Sequence, residues 1–385
     1  MTETLFDFKR VVFSPESYLA PVTILKAYGT MRARMSVWSS APSGSVTAFN
    51  RLTYTWILPL CSARKLAVAA RTVASRKVCD VCGRREAFFF RPYSSVSLCR
   101  RCLTESVEEK VRSTIVKYGM FEFDDTIAVA VSGGKDSVGL LHVLARLERR
   151  YPRARLVAVT VDEGIRGYRD EALEIASENC GKLGVEHVDV SFEKLFGYTL
   201  DDMVGRLKRK GAGGETPCAW CGVLRRRALN VVARRLKADK LATAHTLDDE
   251  VQTILLNILH GDVFRIAREK PVTDEVHPKL VRRIKPFCEV PERETSLYAY
   301  LRGVRFQSRP CPYASEALRN DARAMLNRME EKHAGIKFTV FKSIEKMRPA
   351  LEDVARKEGL GICSECGEPT TDKVCRTCQM LKQIE

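Results

Sequence analysis

Ten of the fourteen cysteines in this chain of 385 residues fall into five C-x2-C pairs: Cys79/Cys82, Cys99/Cys102, Cys218/Cys221, Cys363/Cys366 and Cys375/Cys378. Two thiolates at that spacing reach one metal ion from a tight turn, whereas disulfides do not favour it. Four of the pairs combine into two modules, C-x2-C-x16-C-x2-C at Cys79–Cys102 and C-x2-C-x8-C-x2-C at Cys363–Cys378. Each is the pattern of a closed four-thiolate site, expected to hold zinc and to gain from it the folding free energy that so short a segment lacks. The cysteines therefore predict a reducing, cytoplasmic setting, and no signal-peptide pattern opposes it.

Lys and Arg number 64 against 48 Asp and Glu, a net charge of +16 that suits a phosphate-rich partner. The excess is uneven. Between Ser17 and Cys79 stand nine Lys/Arg and no acid, in a Ser-, Ala- and Arg-rich stretch without helical or strand period. Three readings of residues 1–76 stay open: an organelle transit peptide, a start assigned too far upstream (the true one at Val73 or Val78), or a basic tail that aids RNA binding. There is no run of about 18 apolar residues, the nearest approach being Leu52–Cys61, so no membrane span is expected.

Between the cysteine modules the chain alternates. Strands are predicted at Thr126–Ser132 (TIAVAVS), Arg155–Val161, Val185–Val190 and Lys240–Thr243. Helices are predicted at Glu105–Lys117, Val138–Arg149, Arg169–Leu183, Cys221–Leu236 and Leu247–His260. Such alternation means βαβ units and a parallel sheet. After Pro286 the pattern turns helical, at Glu292–Leu301, Glu316–His333 and Phe341–Glu358. The expected division is a basic extension (1–76), an N-terminal zinc module (77–105), an α/β nucleotide-binding core (106–290), a helical part (291–358) and a C-terminal zinc module (359–385).

Ser132-Gly133-Gly134-Lys135-Asp136-Ser137 follows a strand and opens a helix. Two glycines let the backbone approach a pyrophosphate, while the helix N-terminus directs free N–H groups at the anion. Ser132 and Ser137 add hydroxyls and Lys135 a point charge. A Walker A loop would need G-x4-G-K-[ST], which this is not.

This SGGKDS string resembles the PP-loop ATPases, the N-type enzymes that adenylate a carbonyl oxygen. The likeness continues in Val161-Asp162-Glu163-Gly164-Ile165-x-Gly167-Tyr168-Arg169 and in Ala242–Gln252 (ATAHTLDDEVQ). With CAWCGVLRRRALN and PCPY, the chain is similar to the TtuA-type tRNA 2-thiouridine synthetases from about Cys79 to Cys378. The resemblance implies a Rossmann-like PP-loop core between two zinc-ribbon modules. It places ATP, with magnesium, on Ala130, Ser132, Gly133, Gly134, Lys135, Asp136, Ser137, Val161, Arg225, Ala244 and Asp249. One position departs: Ala244-His245-Thr246 stands where the family has Gly-His-Asn, adding a Cβ where nucleotide packs.

Cys218 and Cys221 begin an arginine-rich helix, and Cys311 lies between Pro310 and Pro312. Spacing alone leaves open a third zinc site, with Cys288 or Cys180 as fourth ligand. The resemblance instead implies a 4Fe–4S cluster on Cys218, Cys221 and Cys311, with one iron left open to hold sulfur for delivery. A Cys221–Cys311 disulfide or persulfide is the rival chemistry within the same family. Of the acids that open TLDDE, either Asp248 or Asp249 could simply cap the helix; the resemblance favours Asp249 for chemistry. Arg225 would stabilise phosphate or adenylate, and Lys208, Arg209 and Lys210 lead into a Gly-rich RNA-contacting flap at Gly211–Gly214.

The expected activity is ATP-dependent adenylation of a tRNA uridine, then sulfur transfer. LDDE-x-Q, CGEPTT and the CPY-A pattern favour the T-loop uridine, with the wobble uridine of the anticodon as runner-up. The implied partners are tRNA, a sulfur donor (sulfide or a ubiquitin-like thiocarboxylate carrier) and a second copy of the chain. The contrasting class is a zinc-ribbon RNA-binding protein that uses nucleotide only as a structural ligand.

Overall fold

The N-terminal four-cysteine module folds as a hairpin, β1 (Phe89–Arg91) and β2 (Val96–Leu98), that runs into helix α1 (Arg100–Lys117). A computed structural model describes residues 77–149, 151–211, 215–314, 318–355 and 359–385; everything expected of residues 1–76 lies outside them, as do 212–214 of the Gly-rich flap. The core then follows: β3 (Thr126–Ala130), α2 (Lys135–Glu148), β4 (Arg155–Asp162), α3 (Arg169–Leu183), β5 (Glu186–Ser191), α4 (Phe192–Phe196), α5 (Leu200–Arg209) and α6 (Pro217–Arg235). Next come β6 (Lys240–Ala242), α7 (Leu247–Leu259), α8 (Val263–Arg268), β7 (Arg282–Ile284), α9 (Glu292–Leu301), α10 (Arg319–Lys332) and α11 (Ile336–Ala355). The C-terminal module adds the two-residue strands β8 (Gly361–Ile362) and β9 (Pro369–Thr370), and ends in α12 (Arg376–Ile384).

The five core strands pair in the order β5-β4-β3-β6-β7, all parallel, with Ile127 opposite Leu156 on one side and Lys240 on the other. Successive side chains alternate between faces. Ile127, Val129, Leu156 and Ala158 pack under α1, α2, α3, α7 and α9. Ala128, Val159, Val161 and Leu241 pack under α4, α5, α6 and α12. Both faces are covered, which is why β4 reads as a continuous apolar run and is buried from Leu156 to Val161.

Helix starts differ from expectation where a cap was overlooked. The side chain of Thr216 accepts the Ala219 amide and Pro217 occupies the first helical turn, so α6 begins before Cys218. Both cysteines of the pair therefore sit on the helix itself. Among the described residues, no helix is long and apolar enough to cross a membrane.

Candidate active site

β3 has β4 on one side and β6 on the other, so the winding of the sheet reverses between β3 and β6. Ligands bind in the crevice at the carboxyl ends of strands at such a switch point. The SGGKDS loop leaves β3 there, and Ala244-His245-Thr246 leaves β6.

The two loop glycines have different tasks. Gly133 adopts φ +85°, and a Cβ on it would lie 2.7 Å from the Ala172 carbonyl oxygen and 2.9 Å from the Ala172 Cα. Gly134 caps α2 at φ −78°, and a Cβ there would meet only Ser132 Oγ at 3.5 Å. Ser137 Oγ accepts the Ser132 amide at 3.0 Å and donates to the Gly134 carbonyl at 2.9 Å, which fixes the loop's curvature. The Gln307 amide donates to the Gly133 carbonyl at 2.9 Å from outside. Lys135 Nζ stands between Asp136 (2.6 Å) and Glu292 (2.8 Å). Burial disfavours its charge, but the two carboxylates outweigh that and raise its pKa above the ordinary lysine value. Thr295 Oγ1 donates to Asp136 at 2.5 Å, and burial raises the Asp136 pKa.

A buried carboxylate joins this loop to the cysteine helix. Glu163 contacts Arg169 Nε at 2.7 Å through one oxygen and Arg225 Nε at 2.7 Å through the other. Arg169 donates onward to the carbonyls of Ser132 (3.0 Å) and Val161 (2.6 Å). Arg225 Nη2 donates to Cys221 Sγ at 3.0 Å. Val161 has its side chain in the core and its carbonyl on Arg169, so it forms the floor beneath the site. Ala130 and Ala244 are half-buried at the ends of their strands.

Cys218 Sγ donates to the Tyr313 carbonyl at 3.1 Å, which draws the start of α6 against the Cys311 loop. Tyr313 is itself anchored, its hydroxyl donating to Asp201 at 2.8 Å. Cys311 packs on the same core layer as Cys221, and burial pushes the Cys221 thiol up to about 11. Cys180 and Cys288 belong to the opposite layer, across the sheet, and are not placed to complete a four-ligand site. Within each terminal module the four sulfurs lie within 4.8 Å of one another, as a single ion needs. The three central thiols do not form a group that tight. A closed one-ion site needs ligands as close as those of the terminal modules, which the three central thiols are not.

In the terminal modules, backbone N–H groups point at sulfur. Those of Arg84 and Arg85 bring Cys82 down to about 6, and those of Cys375 and Cys366 do the same for Cys363. Glu368 docks the C-terminal module on α6: it contacts Arg227 at 2.6 Å and Arg234 at 2.7 Å. Glu368→Ala should cost about 2 kcal/mol, less than the about 3–5 of a fully buried pair because of solvent screening at the partly exposed Arg234. Thermal unfolding at unchanged metal content checks this.

Asp249 closes a capping box on Thr246, accepting its amide at 3.0 Å and its hydroxyl at 2.9 Å. Its other oxygen faces Arg319 at 4.0 Å. Asp248 reaches the Glu292 amide at 2.7 Å and Lys337 at 2.5 Å, and so joins α7 to α9 and α11. Both acids thus have structural partners. His245, at the crevice, has its pKa lowered to about 4 by desolvation of the ring and by the nearby Lys285 ammonium. A cleft of about 770 Å³ lies against the C-terminal module, lined among others by Arg226, Arg227, Arg283 and Arg376. Burial and the Arg283 charge hold Arg226 below its usual value, a sign of cations in mutual repulsion.

The sequence drew attention to the phosphate loop and all eleven metal-type cysteines. Glu163 stood inside a quoted string without a role. Gln307 and Glu292 carried no motif, and Glu368 stood inside CGEPTT without a docking role, because their partners are remote in sequence.

The PP-loop domain family matches residues 103–330. The chain is 37% identical over 322 residues to the tRNA 2-thiolation protein NcsA of Haloferax volcanii, covering 80% of this chain and 99% of that one. It is 37% identical to cytoplasmic tRNA 2-thiolation protein 1 of Oryza sativa subsp. japonica, covering 80% and 83%. The solved U34-tRNA thiolase NcsA from Methanococcus maripaludis, described with its [4Fe-4S] cluster, superposes with a TM-score of 0.67 at 30% identity, covering 80% of this chain and 96% of that one. Likeness of this extent, over the stretch that holds both the phosphate loop and the central cysteines, means that the chain belongs to the PP-loop family of tRNA 2-thiolation proteins.

Proposed function

We propose that this sulfurtransferase acts on the wobble uridine, adenylating its C2 oxygen at the SGGKDS loop and exchanging that oxygen for sulfur beside Cys218, Cys221 and Cys311. The observation that carries the reading is the Arg169–Glu163–Arg225 chain, which holds phosphate loop and cysteine helix together at one crevice. The likeness to a U34-tRNA thiolase supports the wobble position over the T-loop uridine favoured by the sequence strings.

ATP seats its phosphates on the N-terminus of α2, where loop amides and the helix dipole meet the anion. The phosphate competes with Glu292 for Lys135, and Asp136 and Glu292 are the carboxylates in reach of a magnesium ion that accompanies the nucleotide. The uridine O2 attacks the α-phosphorus and pyrophosphate departs. Once the adenylate has formed, Arg225, fixed at the crevice wall, faces its phosphate. In the second half a C2–S bond forms, the C2–O bond breaks, and AMP leaves with the original oxygen. With sulfide as donor the exchange is redox-neutral. Cys218, Cys221 and Cys311 would hold a 4Fe–4S cluster, which when bound supplies an iron without a protein ligand to carry sulfur. The terminal modules would each hold a zinc ion and act structurally. The arginine-lined cleft suits the tRNA backbone, and binding there weakens as salt rises.

Thionucleoside mapping of tRNA from a deletion strain tests the position. Loss of 2-thiouridine at the wobble base is expected; loss confined to the T-loop would restore the other assignment. Protein purified without oxygen should be brown, absorbing near ~400 nm. A colourless protein that binds tRNA but releases no pyrophosphate would favour the non-catalytic RNA-binding reading.

A further inference from the structure

The geometry points to Glu163 as the positioning residue that aligns the adenylated uridine with the sulfur site, a role that rests on the function proposed above. At 2% exposure its carboxylate is sealed from any substrate. A buried carboxylate is costly unless paired, and here both partners serve the site. Arg169 grips the phosphate loop through the Ser132 carbonyl, and Arg225 grips Cys221. Glu163 is itself held from the backbone. Its carbonyl accepts the Leu200 amide at 2.8 Å, and the next residue, Gly164, turns at φ +68° where a Cβ would strike Thr199 at 2.6 Å.

The consequence for Arg225 is directional. Nε and Nη2 share one edge of the guanidinium fork; the first meets Glu163 and the second meets Cys221 Sγ. Two bonds along one edge fix the plane of the group. Arg225 has 45% of its side chain exposed, and its Nη1 takes part in neither of these two contacts. Remove the Glu163 charge and Arg225 swings free, while Arg169 still holds the loop through the Ser132 carbonyl and stays anchored to β4 through that of Val161. Loss of Glu163 should therefore separate the two half-reactions.

The test is Glu163→Gln in the full chain, with wild type in parallel. Pyrophosphate release should stay within about threefold of wild type, measured on cluster-free protein with ATP and unmodified tRNA. Sulfur incorporation by the loaded enzyme should fall about 10²-fold, the cost of a group displaced by about 1 Å. KM for ATP should hold while kcat for thiolation drops. Glu163→Asp keeps the charge, and with it the fold, but is too short to span both arginines; it should show the same split at about tenfold. Thiolation at the wild-type rate in either variant overturns the assignment, as does a parallel fall of both half-reactions. Wild-type protein that releases no pyrophosphate would instead strike at the proposed function.

Discussion

Alanine at Cys218, Cys221 or Cys311 should abolish tRNA thiolation and iron binding together, while pyrophosphate release from ATP continues. Wild-type protein reconstituted without oxygen should carry about four irons per chain, and each variant a small fraction of that, because loss of one thiolate exposes a second iron. The selectivity follows from the layout. Cys218 is held against the Cys311 loop by the Tyr313 carbonyl and Cys221 by Arg225, whereas the phosphate loop is held by Arg169, Gln307 and the Ser132–Ser137 pair. Cys180→Ala and Cys288→Ala serve as controls and should keep iron and thiolation, since both thiols lie in the opposite core layer. A third zinc with either as ligand would make that control as damaging as the primary variants. A Cys221–Cys311 disulfide mechanism would leave Cys218→Ala active without iron. Iron-free protein that thiolates tRNA at full rate would sink the cluster assignment.

Gly133→Ala should remove ATP-dependent pyrophosphate release almost completely, while Gly134→Ala should reduce it only a few-fold. At Gly133 the added Cβ meets backbone, 2.7 Å from the Ala172 oxygen, at a φ of +85° that alanine resists. The left-handed strain alone is about 1–3 kcal/mol, and neither the Ala172 backbone nor α3 can withdraw cheaply. The loop must shift, and a shift of about 1 Å at a positioning element costs about 10²-fold. At Gly134 φ is −78° and the nearest atom, Ser132 Oγ at 3.5 Å, is in ordinary contact. Metal content and unfolding temperature of both variants should remain near wild type. Equal losses in the two variants would refute the division of labour between the glycines.

That pair also marks how far the sequence could be read. SGGKDS announces a phosphate loop but presents its glycines as equivalent; only the approach of Ala172, carried in by α3, separates them. The βαβ core was legible because β3 and β4 are apolar in their interiors and α3 is bounded cleanly, by Arg169 and by Gly184 at φ +68°. β7 was not: Arg282-Arg283-Ile284 has two charges in three residues and becomes a strand only because β6 offers it an edge. α5 was also missed, although Thr199 and Asp202 form a capping box that sequence inspection could have found. The eight cysteines of the terminal modules were legible from spacing, whereas Cys311 entered only through the resemblance. The carboxylates that organise the site were not legible, since Glu163 reaches Arg225, Glu292 reaches Lys135 and Glu368 reaches Arg227 and Arg234, all far along the chain. Asp248 and Asp249 show the same limit: adjacent in TLDDE, one closes a cap and the other ties three helices.

The bond from Cys218 to the Tyr313 carbonyl joins residues 95 positions apart, and this separation bears on how the protein is assembled during synthesis. The N-terminal module is complete once Cys102 has left the ribosome, and it can take its ion while the rest is still being made. The central trio has no such early form. Cys311 meets α6 only after β6, β7 and α9 have been placed, so a cluster on the proposed thiols would have to be delivered to a nearly finished chain. Its last module, closed by Cys378, then clasps α6 from outside through Glu368. If the proposed ligands are right, topology sets an order of metal delivery, with the cluster site completed late, in an already folded chain.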